Sequence, residues 1–380
     1  MDRPLLTAAA PHVAPDRIPG LVALIARGDD VQVETLGTLD AEPGRPVRRD
    51  SLFRIASTSK PITAVATLIL VEEGLLGLDD PVDELLPELA DRRVLRAPDA
   101  PLADTVAAHR PITVRDLLTF TFGFGLMLEM FTSPTRWPIV AAAEDELHLS
   151  TLDPPDPSVM PPPDAWIAGL GSLPLMAQPG ERWLYNTGTG VLGVLLARAA
   201  GRPFADVLRA RIFEPLGMHD TGFFTTETDR LATAYRPTPN GLVAWDRPDG
   251  TWSRPPAFCD GGAGLLSTAD DLLAFARILL RGGAPILPSH AVAEMTRDQL
   301  TPEQKARGGL GPGFFETKSW GYGLAVYDGG AYGWDGGFGC SFRVDPAREL
   351  TTIVLTQKMF EDPSGDQVHR DIQAAAMAES

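Results

Sequence analysis

Ser57-Thr58-Ser59-Lys60 stands between Leu52-Phe53-Arg54-Ile55 and the apolar run from Ile62 to Val71, and it decides how this chain is read. A serine hydroxyl is a poor nucleophile until a base takes its proton. A lysine three residues further along a helix lies on the same face, one turn later. At a partly desolvated helix start its ammonium can lose its proton near neutral pH and serve as that base. The chain writes nearly all its basic positions as arginine, with four lysines against 29 arginines. A lysine at this spot therefore points to an amine that must shed a proton, which a guanidinium does not do.

The tetrapeptide alone is a weak signal. With 14 serines and four lysines in 380 residues it is expected about 0.15 times by chance. Ser57 as an N-cap and Lys60 as a solvated first-turn residue would account for it equally well. The surroundings carry the argument. Pro61 suits a first turn, where its missing N–H is no loss. Ile62, Val65, Ala66, Ile69 and Leu70 predict a helix buried in the centre of the molecule, ended by Gly74. A serine at the start of such a helix meets free N–H groups and the positive end of the dipole, which suits an oxyanion.

Both ends of the chain read as strands. Leu21 to Ala26 and Val31 to Leu36 are joined by the turn Arg27-Gly28-Asp29-Asp30. Tyr322 to Tyr327, Phe338 to Val344 and Leu350 to Leu355 follow the same grammar, with turns at Asp328-Gly329-Gly330 and Asp345-Pro346. An amphipathic segment, Gln367 to Ala378, would cover their face. Strands at both ends with hairpin-length turns predict one antiparallel sheet closed by the two termini. The middle reads as helical. Thr113-Val114-Arg115-Asp116 is a capping box, Gly190 to Ala200 and Phe204 to Ile212 are helices, and Ser267 caps another that runs to Gly282. The fold class is α+β. A sheet region (1–75 and 260–380) and a mainly helical region (76–259) would share the site between them. The Pro-rich stretch 134–179 would be an ordered loop overhanging that site, with Trp137 or Trp166 in its wall.

Bulk properties narrow the function. A formal charge of −17 argues against nucleic acid or an anionic membrane as partner. The stretch Leu5 to Ala10 reads as too short and too weakly apolar for a secretory signal, and no apolar run is long enough to span a bilayer. Cys259 and Cys340 make no disulfide framework. These features point to a cytoplasmic protein acting on small molecules. Six histidines stand in no metal-ligand spacing, and G-x-S-x-G, Walker and dinucleotide fingerprints are missing. No cofactor or metal is expected.

Two more segments bear chemistry. Tyr185-Asn186-Thr187 precedes a helix; a tyrosine beside an amide can relay a proton and hold a carbonyl. A packed Tyr185 and a capping Asn186 would explain the same residues. Tyr332-Gly333-Trp334-Asp335-Gly336-Gly337-Phe338-Gly339 leads into a strand, and its glycines mark close approach of a backbone or a ligand. The Gly337 N–H could pair with that of Ser57 as an oxyanion donor; a tight hairpin is the plain alternative.

Taken together these segments resemble the serine β-lactamase-like, penicillin-recognising family, and among its members the class C-like esterases known as family VIII carboxylesterases. The resemblance rests on Ser51 to Lys60, Ile112 to Thr119, Pro179 to Gly188, Gly261 to Thr268 and Trp334 to Gly337, in that order. It implies an acyl-enzyme on Ser57, Lys60 as base, Tyr185 as second acid/base, and an oxyanion hole from the N–H groups of Ser57 and Gly337. It implies substrate contacts at Asn186, Trp334, Asp335 and Gly336. Two departures stand out. The tyrosine motif of the family reads Tyr-x-Asn, whereas here Asn186 comes one residue early and Thr187 stands third. Trp334-Asp335-Gly336 stands where penicillin-recognising members place Lys-Thr-Gly. An indole and an aspartate cannot grip a substrate carboxylate as a lysine does, which favours neutral carboxylic esters. The alternatives are a β-lactamase, a D-amino-acid peptidase or amidase, an acyltransferase, or a silent binding protein of the same fold.

Overall fold

Leu21-Val22-Ala23-Leu24-Ile25-Ala26 is apolar at every position because the strand it forms is covered on both faces. The structure, a computed structural model, describes residues 3–42, 44–152, 154–361 and 365–378. That strand, β1 (Gly20–Arg27), belongs to a seven-stranded sheet with β2 (Asp30–Gly37), β3 (Lys318–Trp320), β4 (Ala325–Tyr327), β5 (Tyr332–Gly336), β6 (Cys340–Asp345) and β7 (Leu350–Thr356). The order is β2-β1-β7-β6-β5-β4-β3, and every neighbouring pair is antiparallel. Leu24 pairs with Ile353 and Val33, so the first and last strands close the sheet from the two termini.

The period of two sorts the side chains. Leu21, Ala23 and Ile25 pack with Val354 against helices α1 (Pro4–Ala9) and α8 (Gln367–Ala378), through Leu5, Val368 and Ile372. Val22, Leu24 and Ala26 face the other way with Phe342 and Ile353. There they meet Phe275 and Leu272 of α7 (Ala269–Leu280) and the buried face of α2 (Ser59–Glu72). Burying one leucine of this interior contributes about 1.5–3 kcal/mol.

Between the halves lie α3 (Val114–Thr119), α4 (Leu128–Thr132), α5 (Pro163–Ser172) and α6 (Thr187–Ala200). The Thr113 capping box is present: its hydroxyl accepts from the Asp116 N–H, and Asp116 accepts from the Thr113 N–H. From Ser59 through Leu70 every residue of α2 is buried, as its apolar run predicts.

Several boundaries differ from expectation. The strand expected over Tyr322–Tyr327 is only Ala325–Tyr327, because Tyr322 and Gly323 turn their N–H groups to Met295 and Leu118. The strand expected over Phe338–Val344 starts at Cys340, after a turn in which Gly339 has φ +93°. Strand β5 was not expected. Its glycines lower strand propensity, yet Gly333 is needed, since a side chain there would collide with the Phe342 carbonyl. Strand β3 is three residues long and carries too little pattern to be seen.

Helix limits shift as well. Helix α6 starts at Thr187 rather than Gly190, and the helix expected over Phe204–Ile212 is α-helical only to Leu208, then widens into a π-turn. Thr268, not Ser267, caps α7 by accepting from the Asp271 N–H at 3.3 Å; the Ser267 hydroxyl is engaged with Thr221. The Pro-rich stretch includes Asp153, which lies outside the described residues. It also holds α5 and the π-turn Ala141–Glu146.

Candidate active site

Ala56 is strained, with φ +43°, a region that costs a non-glycine residue about 1–2 kcal/mol. It turns the chain out of the short strand Phe53–Arg54 into a 3₁₀ turn, Ala56–Thr58, which feeds α2. Ser57 thus belongs to the turn before the helix and lines a cavity, while Thr58, Ser59 and Lys60 are buried. The Lys60 ammonium lies 2.9 Å from Ser57 Oγ and donates to the Gly262 carbonyl at 2.8 Å. Lys60 is not a solvated first-turn residue: none of it is exposed. Burial lowers its pKa from 10.5 to about 7, against the opposing pull of Asp260. Asp260 is half-buried, and desolvation raises its pKa; the Gly262 N–H, at 2.7 Å, and Lys60 oppose that rise.

Tyr185 arrives from the other side. Its backbone pairs with Leu126 in both directions, at 2.8 and 2.9 Å. Asn186, with φ +86°, breaks the chain direction just before α6, so strained residues adjoin both Ser57 and Tyr185. The Tyr185 ring lies among Phe120, Trp183, Trp320 and Trp334. Its hydroxyl accepts from the Trp334 indole N–H at 2.8 Å and also interacts with Ser57. Burial pushes its pKa well above the ordinary tyrosine value, so the phenol keeps its proton. The Lys60 ammonium sits 4.8 Å from the centre of the same ring.

The sheet brings the remaining residues. A side chain at Gly336 would collide with the Ile55 carbonyl, and its Cβ would stand 3.3 Å from the Ser57 nitrogen. Gly336 therefore lets the end of β5 close on the Ser57 turn and is not itself part of the cavity lining. Gly337, next along, lines the cavity with open space around its Cα. Its carbonyl is held by the Phe360 N–H at 2.9 Å.

The cavity, of about 350 Å³, is lined by Ser57, Tyr185, Asn186, Trp334, Asp335 and Gly337 among others. Asn186 donates to the Thr151 carbonyl at 2.7 Å, while Thr187 is buried and bonded to the Thr151 hydroxyl at 2.9 Å. Of the two, Asn186 is the one at the cavity. Asp335 is less available than its position suggests. Burial alone would raise its pKa, but the charges of Arg343 and His369 together with hydrogen bonds from Arg343 and Ser341 outweigh burial and hold it at about 2. Ser341 donates to one oxygen at 2.6 Å and Arg343 to the other at 2.8 Å.

Trp166 does not form a wall of the site. It packs on Phe258 with ring centres 4.8 Å apart and donates to the Leu149 carbonyl. Trp137 lines a neighbouring cavity together with Phe131, which borders both. A larger cavity of about 490 Å³ lies apart, between Arg209, Phe223 and Pro255. Ser57, with Lys60 behind it, opens into the smaller one. Among the described residues no group of three or more His, Cys, Asp or Glu side chains could hold a metal ion. No described helix is long and apolar enough to cross a membrane.

Sequence reasoning missed Asp260 and Lys318. Asp260 was legible only as an acid before the Gly261-Gly262 pair. Lys318 sits in a strand too short to be recognised and also lines the cavity.

An amine with a pKa near 7, placed 2.9 Å from a serine hydroxyl, is a competent base at neutral pH. A base must be neutral to take a proton, so with Lys60 in that role kcat/KM is expected to rise with pH through about 7 and then level off. Asp260 supports the charged form; Asp260→Asn should therefore move that limb to lower pH. A pH–rate profile checks both signs, and a limb near 10 would remove Lys60 from the role of base.

Comparison with known proteins identifies the family of the chain. A model of the Beta-lactamase family matches residues 7–377. Esterase EstB of Burkholderia gladioli is 34% identical over 382 residues, covering 92% of this chain and 88% of its own. Lovastatin esterase of Penicillium rubens is 30% identical, covering 84% and 83%. The solved structure of EstCE1, a hydrolase with promiscuous acyltransferase activity, superposes with a TM-score of 0.80 at 28% identity, over 98% of this chain and 97% of its own. The chain belongs to the beta-lactamase family.

Proposed function

We propose that this serine hydrolase cleaves carboxylic esters through an acyl-enzyme on Ser57, in a cleft between the sheet region (1–75 and 260–380) and the helical region (76–259). The observation that carries the reading is the buried Lys60 amine 2.9 Å from Ser57 Oγ. Neutral Lys60 takes the serine proton as Oγ attacks the ester carbonyl. The N–H groups of Ser57 and Gly337 receive the charge that develops on the carbonyl oxygen. Tyr185, held in its protonated form, gives a proton to the leaving oxygen and recovers one from the Lys60 ammonium. Water then attacks the acyl group by the reverse proton path and frees Ser57.

Two relatives named as esterases support ester over lactam or peptide substrates. A second reading, acyl transfer to an alcohol, is supported by the promiscuous acyltransferase activity of EstCE1. The test is a comparison of kcat/KM for p-nitrophenyl butyrate and a chromogenic cephalosporin on one preparation, with intact-mass detection of a serine-reactive phosphonate. The ester is expected to be cleaved much faster, and the phosphonate to label Ser57. A cephalosporin preference, or a label elsewhere, would overturn the reading. Ester product accumulating in the presence of an added alcohol would favour acyl transfer.

A further inference from the structure

Lys318 is a cation in the cavity that the proposed mechanism does not use. It comes from β3, opposite Tyr327, and its half-buried side chain crosses toward Trp334. Its ammonium lies 4.1 Å from the centre of the Phe314 ring and 5.7 Å from that of Trp334. Among the described residues no oxygen accepts a hydrogen bond from it and no carboxylate pairs with it. The other charges on the cavity wall are already matched. Asp335 is taken by Ser341 and Arg343, and Glu361 by Lys358 at 2.6 Å. Burial lowers the Lys318 pKa, with Asp335 pulling against it from a distance. A partly desolvated ammonium among aromatic rings lacks the anion that would offset its lost hydration.

The position of Lys318 says which part of a substrate it would meet. The carbonyl carbon lies at Ser57, with its oxygen toward the N–H groups of Ser57 and Gly337. The leaving oxygen lies toward Tyr185, its proton donor. The Tyr185 hydroxyl is bound by the Trp334 indole, and the Lys318 ammonium sits against that same indole. Lys318 is thus on the leaving-group side. We propose that it binds a carboxylate carried by the alcohol portion of the ester, so that preferred substrates are acyl esters of hydroxy acids. The expectation of neutral esters, drawn from Trp334-Asp335 and the net charge, gives way here, since Asp335 is neutralised within the wall and the unmatched local charge is positive. The proposal rests on the ester reading and refines its substrate class.

The test uses a pair of esters that differ in one charge, 3-butyryloxybenzoate and 3-butyryloxybenzamide. The readout is the ratio of their kcat/KM values in the wild type and in Lys318→Met, Lys318→Gln and Lys318→Arg. A charge-assisted contact predicts a wild-type preference for the benzoate of about ten-fold or more. The ratio should fall to about one in Lys318→Met and Lys318→Gln and be largely kept in Lys318→Arg. A wild-type ratio near one, or a preference that survives in Lys318→Met, overturns the proposal. Binding of the products 3-hydroxybenzoate and 3-hydroxybenzamide, followed by tryptophan fluorescence, tests Lys318 without turnover. Tighter binding of the benzoate that is lost in Lys318→Met supports the subsite, and equal binding overturns it. Failure to hydrolyse either ester, with Ser57 unlabelled by the phosphonate, overturns the ester reading, and the binding pair then decides on Lys318.

Discussion

Ser57→Ala is expected to lower kcat on p-nitrophenyl butyrate by about 10⁴–10⁶, and Lys60→Arg by nearly as much, because the two side chains act as one unit. The reason is geometric and electrostatic together. Lys60 is 2.9 Å from Ser57 Oγ, fully buried, and has a pKa near 7. An arginine keeps the charge and gives up no proton. It is also too long and too flat for a space closed by Gly262 and the Tyr185 ring. Lys60→Met separates catalysis from folding. A thioether of similar length costs less to bury than an ammonium. The variant should therefore be inactive with a Tm close to, or above, that of the wild type, because the site holds a group selected for reactivity over stability. Steady-state kinetics and a melting curve on the same preparation check the pair of outcomes. Residual activity in Lys60→Arg within ten-fold of wild type would take the role of base away from Lys60.

The parts of this molecule that could be read from sequence are those fixed by neighbouring residues. The apolar period of α2, the Thr113 capping box and the terminal strands of the sheet each declare themselves within about ten residues. Ser57 and Lys60 are three positions apart, so one helical turn suffices to join them. What escaped is set by long-range contact. Strand β5 carries two glycines because another backbone presses on it, and that requirement overrides its weak strand propensity. Asp260 acts on Lys60 from 200 residues away, and Lys318 reaches the cavity from an edge strand of three residues. Asp335 looked like free negative charge in the sequence; its neutralisation by Arg343 depends on diagonal positions on the neighbouring strands β5 and β6. Charge read from composition therefore did not show that an ammonium, Lys318, lines the cavity beside a paired Asp335.

Tyr185→Phe is expected to lower kcat by about 10²–10⁴, the usual cost of removing a positioned acid or base. The ring remains, so its packing with Phe120, Trp183 and Trp320 survives. What disappears is the hydroxyl, and with it the acceptor of the Trp334 indole N–H, which is left buried and unpaired. An orphaned buried donor costs about 1–3 kcal/mol, so a modest fall in Tm should accompany the kinetic loss. The two effects are separable through the leaving group. A p-nitrophenolate departs without help, whereas an ethoxide must be protonated as it leaves. If Tyr185 is the proton donor, the loss in Tyr185→Phe is larger for ethyl butyrate than for p-nitrophenyl butyrate by at least about ten-fold in acylation. If Tyr185 only packs the site and anchors Trp334, both esters suffer equally and in proportion to the fall in Tm. Equal losses would therefore reduce Tyr185 to a positioning residue and leave the leaving oxygen to be protonated by the Lys60 ammonium, the other proton carrier beside Ser57.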